Sequence, residues 1–280
     1  MMATSFQSDG ISIIIPTYNR SSMLRKILCG LLAQKGYHKA LQVIIVDNGS
    51  TENITAAISE FRKHLVIAVI RRKIPKPKEN FRPGSARNIG VLNSRYDYIL
   101  FLDSDCIPSE YFLRTHWREL SSRCKIATIG HRVFIDECKC SEEMILHSSK
   151  SLSMIEFVRS ASNYLEYIDR RIPELIDISR HPAPYNCFHG CNVGMRRADF
   201  FKAGMFDISF DGHWGYEDIE LGYRLYLLGI EFVYLYDAFV YHIEGEGLSL
   251  TERLIGRNRN FALACKKIPN YFLFRKHLGR

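Results

Sequence analysis

Two carboxylates stand two residues apart in Tyr98-Ile99-Leu100-Phe101-Leu102-Asp103-Ser104-Asp105, at the exit of an apolar run that reads as a buried strand. Side chains alternate faces along a strand, so Asp103 and Asp105 are expected to approach one cation together while Ser104 points elsewhere. Oxygen ligands at the carboxyl end of a strand suit Mg²⁺ or Mn²⁺, and such ions commonly hold the phosphates of a nucleotide. The competing reading is a solvated Asp-Ser-Asp turn, and the choice rests on the rest of the chain.

A second acidic pair, Glu217-Asp218, opens the best helical pattern in the sequence, with Leu221, Leu225 and Leu228 at helical spacing and Gly229 placed to end it. Acids at a helix N-terminus stabilise the helix dipole by about 0.3–1 kcal/mol, which alone accounts for both. The preceding loop, Gly212-His213-Trp214-Gly215-Tyr216, has the glycine and aromatic content of a segment that shapes a pocket, and favours a catalytic role for the acids. His242 follows a strand-like segment at residues 238–241. A lone histidine is ordinarily a packing or surface residue, but beside two carboxylates it becomes a third ligand, since imidazole suits Mn²⁺ better than Mg²⁺.

The elements that must position these groups alternate from the start of the chain. Strands are expected at residues 11–15, 43–46 and 65–70 and in the run entering Asp103. Helices are expected between them: one presenting Leu24, Ile27, Leu28, Leu31 and Leu32, one carrying Ala57, Ile58 and Phe61, and a short one at about 85–93, after a basic, proline-bearing loop at 71–83. This βαβαβαβ order implies a mostly parallel sheet covered on both faces by helices. Such sheets bind ligands at the carboxyl ends of their strands, where Thr17-Tyr18-Asn19, Asp47-Asn48 and Asp103-Ser104-Asp105 all fall. Neither the P-loop sequence nor the dinucleotide glycine pattern is present. Beyond residue 106 the order turns mixed: a helix at about 109–121, a strand at 125–129, a polar helical stretch at about 142–170, a short strand at 191–195, an irregular loop at 206–214, and strands at 231–235 and 238–241.

Composition fits one soluble domain, 1–280, with 46% hydrophobic and 12% aromatic residues supplying a large core. No apolar run reaches the 18 to 20 or so residues that span a bilayer, and the polar start, residues 1–10, lacks the apolar stretch of a signal peptide. A cytoplasmic location is expected. The eight cysteines, including Cys138-x-Cys140 and Cys187-x3-Cys191, lack zinc-finger spacing and read mostly as packing residues. The formal charge of +8 suggests anionic partners.

Five segments resemble family 2 glycosyltransferases of the GT-A fold, in that family's order: Ile13-Ile14-Ile15-Pro16-Thr17-Tyr18-Asn19, Val46-Asp47-Asn48-Gly49-Ser50, Ala86-Arg87-Asn88-Ile89-Gly90, Phe101-Leu102-Asp103-Ser104-Asp105 and Trp214-Gly215-Tyr216-Glu217-Asp218. The run Gly190-Cys191-Asn192-Val193-Gly194-Met195, followed by residues 214–222 and His242, is similar to the galactosyltransferase-like half of chondroitin polymerases, β-1,4-galactosyltransferases and polypeptide GalNAc-transferases. The resemblance implies a nucleotide-sugar half at about 11–106, an acceptor and catalytic half at about 107–242, and a basic helical tail at 243–280.

Position by position, the resemblance implies that Pro16, Thr17 and Asn19 line the nucleotide pocket, with Asp47 on the base or ribose, and that Arg87 and Asn88 face the donor diphosphate or sugar. Asp103 would contact ribose or the metal, Asp105 and His242 would bind the metal, Asn192 and Trp214 would frame the sugar, and Asp218, beside Glu217, would be the general base. The implied reaction moves a sugar from a UDP-sugar, with Mn²⁺ or Mg²⁺, to a saccharide, lipid-linked or peptide acceptor. A carboxylate at position 218, where retaining GalNAc-transferases carry Asn, favours inversion. The alternatives are a retaining enzyme, a nucleotide-sugar-binding protein without catalysis, and a nucleotidyltransferase, which lacks here the glycine-rich triphosphate loop it would need.

The chain departs from the resemblance at His189-Gly190-Cys191-Asn192, where relatives often have paired glycines, and over residues 136–184, which match nothing and are expected to build the acceptor side. Residues 250–280 mix basic side chains with Phe261, Tyr271, Phe272 and Phe274. They read as a surface helix with a solvated basic face, or else as a peripheral contact with anionic lipid at the inner face of the membrane. Nucleic-acid binding would explain the charge but not the carboxylates, and is not expected.

Overall fold

The computed structural model describes residues 7–73, 82–136, 141–147, 169–244 and 250–277. Among the described residues ten strands form two sheets: β1 (Gln7–Thr17), β2 (Ala40–Asp47), β3 (Val66–Arg71), β4 (Tyr96–Leu102), β5 (Cys106–Pro108), β6 (Ile126–Ile129), β7 (Arg132–Asp136), β8 (Asn192–Arg196), β9 (Glu231–Tyr234) and β10 (Val240–Glu244). The larger sheet has the order β3-β2-β1-β4-β8-β6-β9, and the smaller one β5-β10-β7. In the larger sheet β8 alone runs against its neighbours β4 and β6, and every other adjacent pair is parallel. This is the mostly parallel α/β architecture that the alternation of elements predicts.

Period-two alternation divides the core between the sheet's faces. Ile11, Ile13 and Ile15 of β1 and Tyr98, Leu100 and Leu102 of β4 pack on one side with helix α1 (Ser21–Leu32). Ile14, Ile99, Phe101, Val193 and Met195 pack on the other. A central strand buried on both faces reads as a continuous apolar run, and each such side chain contributes about 1.5–3 kcal/mol by leaving water. Helix α2 (Pro83–Leu92) starts with proline, whose missing N–H is no loss in a first turn. Helix α3 (Phe112–Ser122) covers β6 and β8, and α4 (Glu217–Leu227) buries Ile219, Leu221 and Leu225 in the second cluster.

Several expectations change. The helix expected around Ala57 and Phe61 is split into a four-residue helix, Ile54–Ala57, and a 3₁₀ turn, Ser59–Lys63. Neither β5 nor β7 is expected from the sequence: Cys-Ile-Pro is too short for periodicity, and β7 lies beside residues of no clear pattern. The smaller sheet, which they form with β10, is therefore a finding of the structure. His242 lies within β10 rather than after a strand, opposite Cys106 of β5. Of the helical stretch expected at 142–170, Glu142–His147 is helical, and residues 148–168 lie outside the described residues, as do 74–81 of the basic loop. The tail forms two helices, α5 (Leu250–Lys267) and α6 (Tyr271–His277). Its Asn260, Ala264, Ile268, Tyr271 and Arg275 are buried, so one face of the expected surface helix is packed against the rest of the protein.

Candidate active site

Parallel pairing brings the ends of β1 and β2 together, with Thr17 opposite Asp47 and Pro16 opposite Val46. Beyond the pairing, the Asp47 carboxylate accepts from the Ser50 N–H (2.8 Å) and hydroxyl (2.6 Å) and lies 3.8 Å from Arg71 Nε. Asn19, at φ +47°, accepts from the Thr51 N–H at 2.8 Å and donates its own N–H to Ser50 Oγ. These bonds lock two loops into one rim. Thr17 Oγ1 is buried there with no hydrogen-bond partner among the described residues, a polar atom available to a ligand in the pocket expected of Pro16, Thr17, Asn19 and Asp47.

The strand argument for Asp103 and Asp105 fails in its local geometry. β4 ends at Leu102, and the Cys106 N–H donates to the Asp103 carbonyl at 3.1 Å, closing a turn. Face alternation does not apply on a turn, and the two carboxylates part company. Asp103 Oδ1 accepts from Arg87 Nη2 at 2.6 Å. Asp105 instead meets His242, Oδ1 to Nε2 3.7 Å, while its Oδ2 accepts from Arg20 Nη1 at 3.1 Å. Ligand atoms of Asp105, Cys106 and His242 all lie within 4.8 Å of one another, and Asp103 is not among them.

This donor set, a carboxylate and an imidazole with a thiol alongside, fits a divalent transition-series cation. His242 Nδ1 is buried with no hydrogen-bond partner among the described residues, while Nε2 faces Asp105. Arg20 and Cys106 were not singled out by sequence. Arg20 follows the Thr17-Tyr18-Asn19 segment directly, and Cys106 follows Asp105, so adjacency to the motifs was the available signal.

Arg87, on α2, is buried between two acids, with Nη1 donating to Glu217 Oε1 at 3.0 Å and Nη2 to Asp103. Its guanidinium stacks over Phe206, 5.3 Å from the ring centroid. A Cβ on Gly190 would come within 2.7 Å of the guanidinium carbon, so a larger residue there would have to shift the Arg87 side chain away from its two acids. Burial works against the charge on Arg87, but Asp103, Glu217 and Asp218 outweigh it and hold the group firmly cationic. Arg87 thus faces carboxylates rather than open cleft. Asn88 spends its amide on the Phe206 backbone, donating to the carbonyl at 2.8 Å and accepting from the N–H at 2.9 Å, so it secures a loop and does not face the donor.

Asn192 is likewise internal. Its Nδ2 donates to the carbonyls of Ala238 and His131, and its Oδ1 accepts from His116 Nε2 at 3.1 Å. Fully buried, it ties β8 to the segments that lead into β7 and β10 and does not frame a sugar. Trp214 is 42% exposed on the loop leading into α4, where Gly215 (φ +87°) and Tyr216 (φ +71°) form a left-handed entry. That turn leads directly into Glu217, which meets Arg87, and Asp218, which accepts from the Gly190 N–H. Burial, and then the neighbouring Asp218, push the Glu217 carboxyl up to about 7 despite Arg87. Burial also raises Asp218, opposed by the Gly190 N–H (3.0 Å), Arg87 and the Ile219 N–H (2.9 Å).

The sequence pattern of glycosyl transferase family 2 matches residues 12–200. The chain belongs to that family. The family 2 chain is 32% identical over 274 residues to the chondroitin synthase of Escherichia coli, covering 94% of this chain and 39% of that protein. It is 29% identical over 282 residues to the hyaluronan synthase of Pasteurella multocida, covering 97% of this chain and 28% of that one. It therefore spans well under half the length of either relative. Among solved structures, S. aureus TarS 1–349 in complex with UDP-GlcNAc superposes with a TM-score of 0.57 at 18% identity, covering 86% of this chain and 60% of that one. The likeness is one of fold: the family 2 chain shares the α/β plan of that structure.

Proposed function

We propose that this family 2 chain transfers a sugar, with inversion, from a UDP-sugar to a hydroxyl of a saccharide acceptor, using Asp218 as general base. The observation that carries the reading is the placement of Asp218 in the first turn of α4, beside the Arg87 cluster and across from the Gly190 backbone. The TarS complex supports a uridine nucleotide-sugar donor. The synthases of chondroitin and hyaluronan support a saccharide acceptor.

Breaking the sugar–phosphate bond develops negative charge on the departing diphosphate. Asp105 and His242 would hold a divalent cation, Mn²⁺ or Mg²⁺, which when bound neutralises that charge. Thr17 and Asp47 would anchor the nucleoside at the rim. Arg87 keeps Asp103 and Glu217 in register behind the site. The Gly190 and Ile219 N–H groups favour the ionised form of Asp218, which takes the acceptor proton as the new bond forms opposite the leaving diphosphate.

Asp218→Asn keeps the shape and removes the base. UDP with Mn²⁺ should bind the variant within a few-fold of wild type by calorimetry, while transfer falls by about 10² to 10⁴. Near-normal transfer by this variant, or an α-linked product from an α-linked donor, would overturn the assignment.

A further inference from the structure

We infer that Asn260, on the C-terminal helix α5, is a positioning residue for the Trp214 loop and hence for Glu217 and Asp218; this rests on the reading of Asp218 as the base. The Asn260 side chain is fully buried. Its single Nδ2 amide group lies at hydrogen-bond distance from three carbonyls of one short loop: Phe210 at 3.0 Å, His213 at 3.1 Å and Gly215 at 2.9 Å. The last two flank Trp214, and Gly215 begins the left-handed entry to α4. An N–H group is needed here because successive carbonyls turned inward have no strand or helix partner, and an unpaired buried carbonyl is costly.

Among the described residues, Asn260 Oδ1 is buried without a hydrogen-bond partner. Packing alone would be better served by an apolar side chain at that position, so the bonds to the loop are the reason for an amide. Gly256 lies one turn earlier on the same face of α5. A Cβ there would come within 2.8 Å of the Trp214 backbone nitrogen, so the helix lies directly against the loop. Lys267, further along α5, pairs with Asp207 at 2.7 Å, and the Tyr216 ring packs on Phe261 with centroids 5.5 Å apart. The helix therefore grips the loop at both ends. None of these contacts involves Thr17, Asp47 or Asp105, so donor binding and loop position should separate on mutation.

The chain has two tryptophans, so in a Trp117→Phe background the emission of Trp214 reports the loop alone. Asn260→Ala in that background should at least double the acrylamide quenching constant of Trp214. In the otherwise wild-type chain, Asn260→Ala should lower kcat at least tenfold and leave UDP affinity with Mn²⁺ within threefold. Turnover is read as release of UDP from whichever of UDP-glucose, UDP-galactose, UDP-GlcNAc, UDP-GalNAc or UDP-glucuronate the wild type uses fastest. Asn260→Ser, which keeps one donor, should fall between the two, and it decides the matter by the same readouts if the alanine variant does not fold. Unchanged quenching with unchanged kcat overturns the inference, as does a joint loss of UDP affinity and kcat that tracks a lower Tm. The quenching readout needs no turnover, so a failure of the Asp218 assignment would be seen separately, in Asp218→Asn.

Discussion

Arg87 carries two carboxylates on one guanidinium, and removing it would leave the buried Glu217 and the half-buried Asp103 without their cation. Breaking a buried ion pair by deleting one partner typically costs about 3–5 kcal/mol, because the surviving charge cannot return to water. Among the described residues Glu217 Oε2 already lacks a hydrogen-bond partner, so none of them stands ready to compensate. Arg87→Ala should therefore lower unfolding stability by about 3 kcal/mol or more in a urea titration. Arg87→Lys should be intermediate, since one ammonium cannot reach both acids from two separate nitrogens. A loss below about 1 kcal/mol for the alanine variant would mean that the bridge is a surface-like pair of little weight. At this scale the sequence motifs mark the right neighbourhood but not the partners. Arg87, Asn88 and Asn192 all sit in motifs that resemble a donor site, and all three side chains bond within the protein. Sequence spacing shows which residues are near the rim. Whether a side chain faces cleft or core is decided by contacts across 46 to 130 residues of chain, such as Arg87 with Glu217 and Asn192 with Ala238.

Helix α4 allows the same kind of backbone strain to be compared at its two ends. At its C-terminus the Gly229 N–H donates to the Tyr226 carbonyl and the Ile230 N–H to Leu225, a Schellman close with Gly229 at φ +70°. At its N-terminus Gly215 has φ +87°. A Cβ added at either glycine meets nothing within 4 Å, so alanine brings only the left-handed penalty, about 1–2 kcal/mol. Gly229→Ala should lower stability by that amount and leave kcat unchanged. Gly215→Ala should lower stability similarly and also reduce kcat severalfold, because relief of the strain rotates the turn that aims Asp218. Equal kcat in the two variants would detach the turn from catalysis. The cap at Gly229 was legible because glycine after a periodic run has one common meaning. The continuous apolar runs of β1, β2 and β4 were legible for the same kind of reason. β5, β7 and the split second helix were not, since three to five residues of mixed polarity hold too little periodicity to outweigh turn chemistry. The grip of α5 on the Trp214 loop was invisible in sequence, because Asn260 looks like any polar residue on a basic helix.

Across the whole molecule, the buried titrating groups pull stability in opposite directions with pH. Burial lowers His116 to about 4 and His131 to about 4, below the ordinary histidine value near 6.5. At His116 the partners place a proton on Nε2: Asn192 gives both amide hydrogens to carbonyls, so its oxygen accepts from His116 Nε2, while Nδ1 faces the Thr128 hydroxyl. Between pH 6.5 and 4 the unfolded chain takes up these two protons and the folded chain does not, so acidification costs stability. Glu217, raised to about 7, has the opposite sign. Its folded form binds a proton that the unfolded carboxyl releases down to about pH 4.3, so acidification through this window favours folding. Burial lowers His189 as well and raises Asp218, so three histidines stand against two acids and acidification from pH 6.5 to 4 lowers stability. Asp169, held below the usual carboxylate range by Arg171 and Arg132 despite its burial, extends the decline at lower pH. Stability should thus peak near pH 6.5–7. Urea titrations from pH 7 to 4 should show the fall, and Glu217→Gln, by removing one opposing group, should make it steeper. A stability that holds level or rises on acidification would mean that His116 and His131 do not stay neutral in the fold.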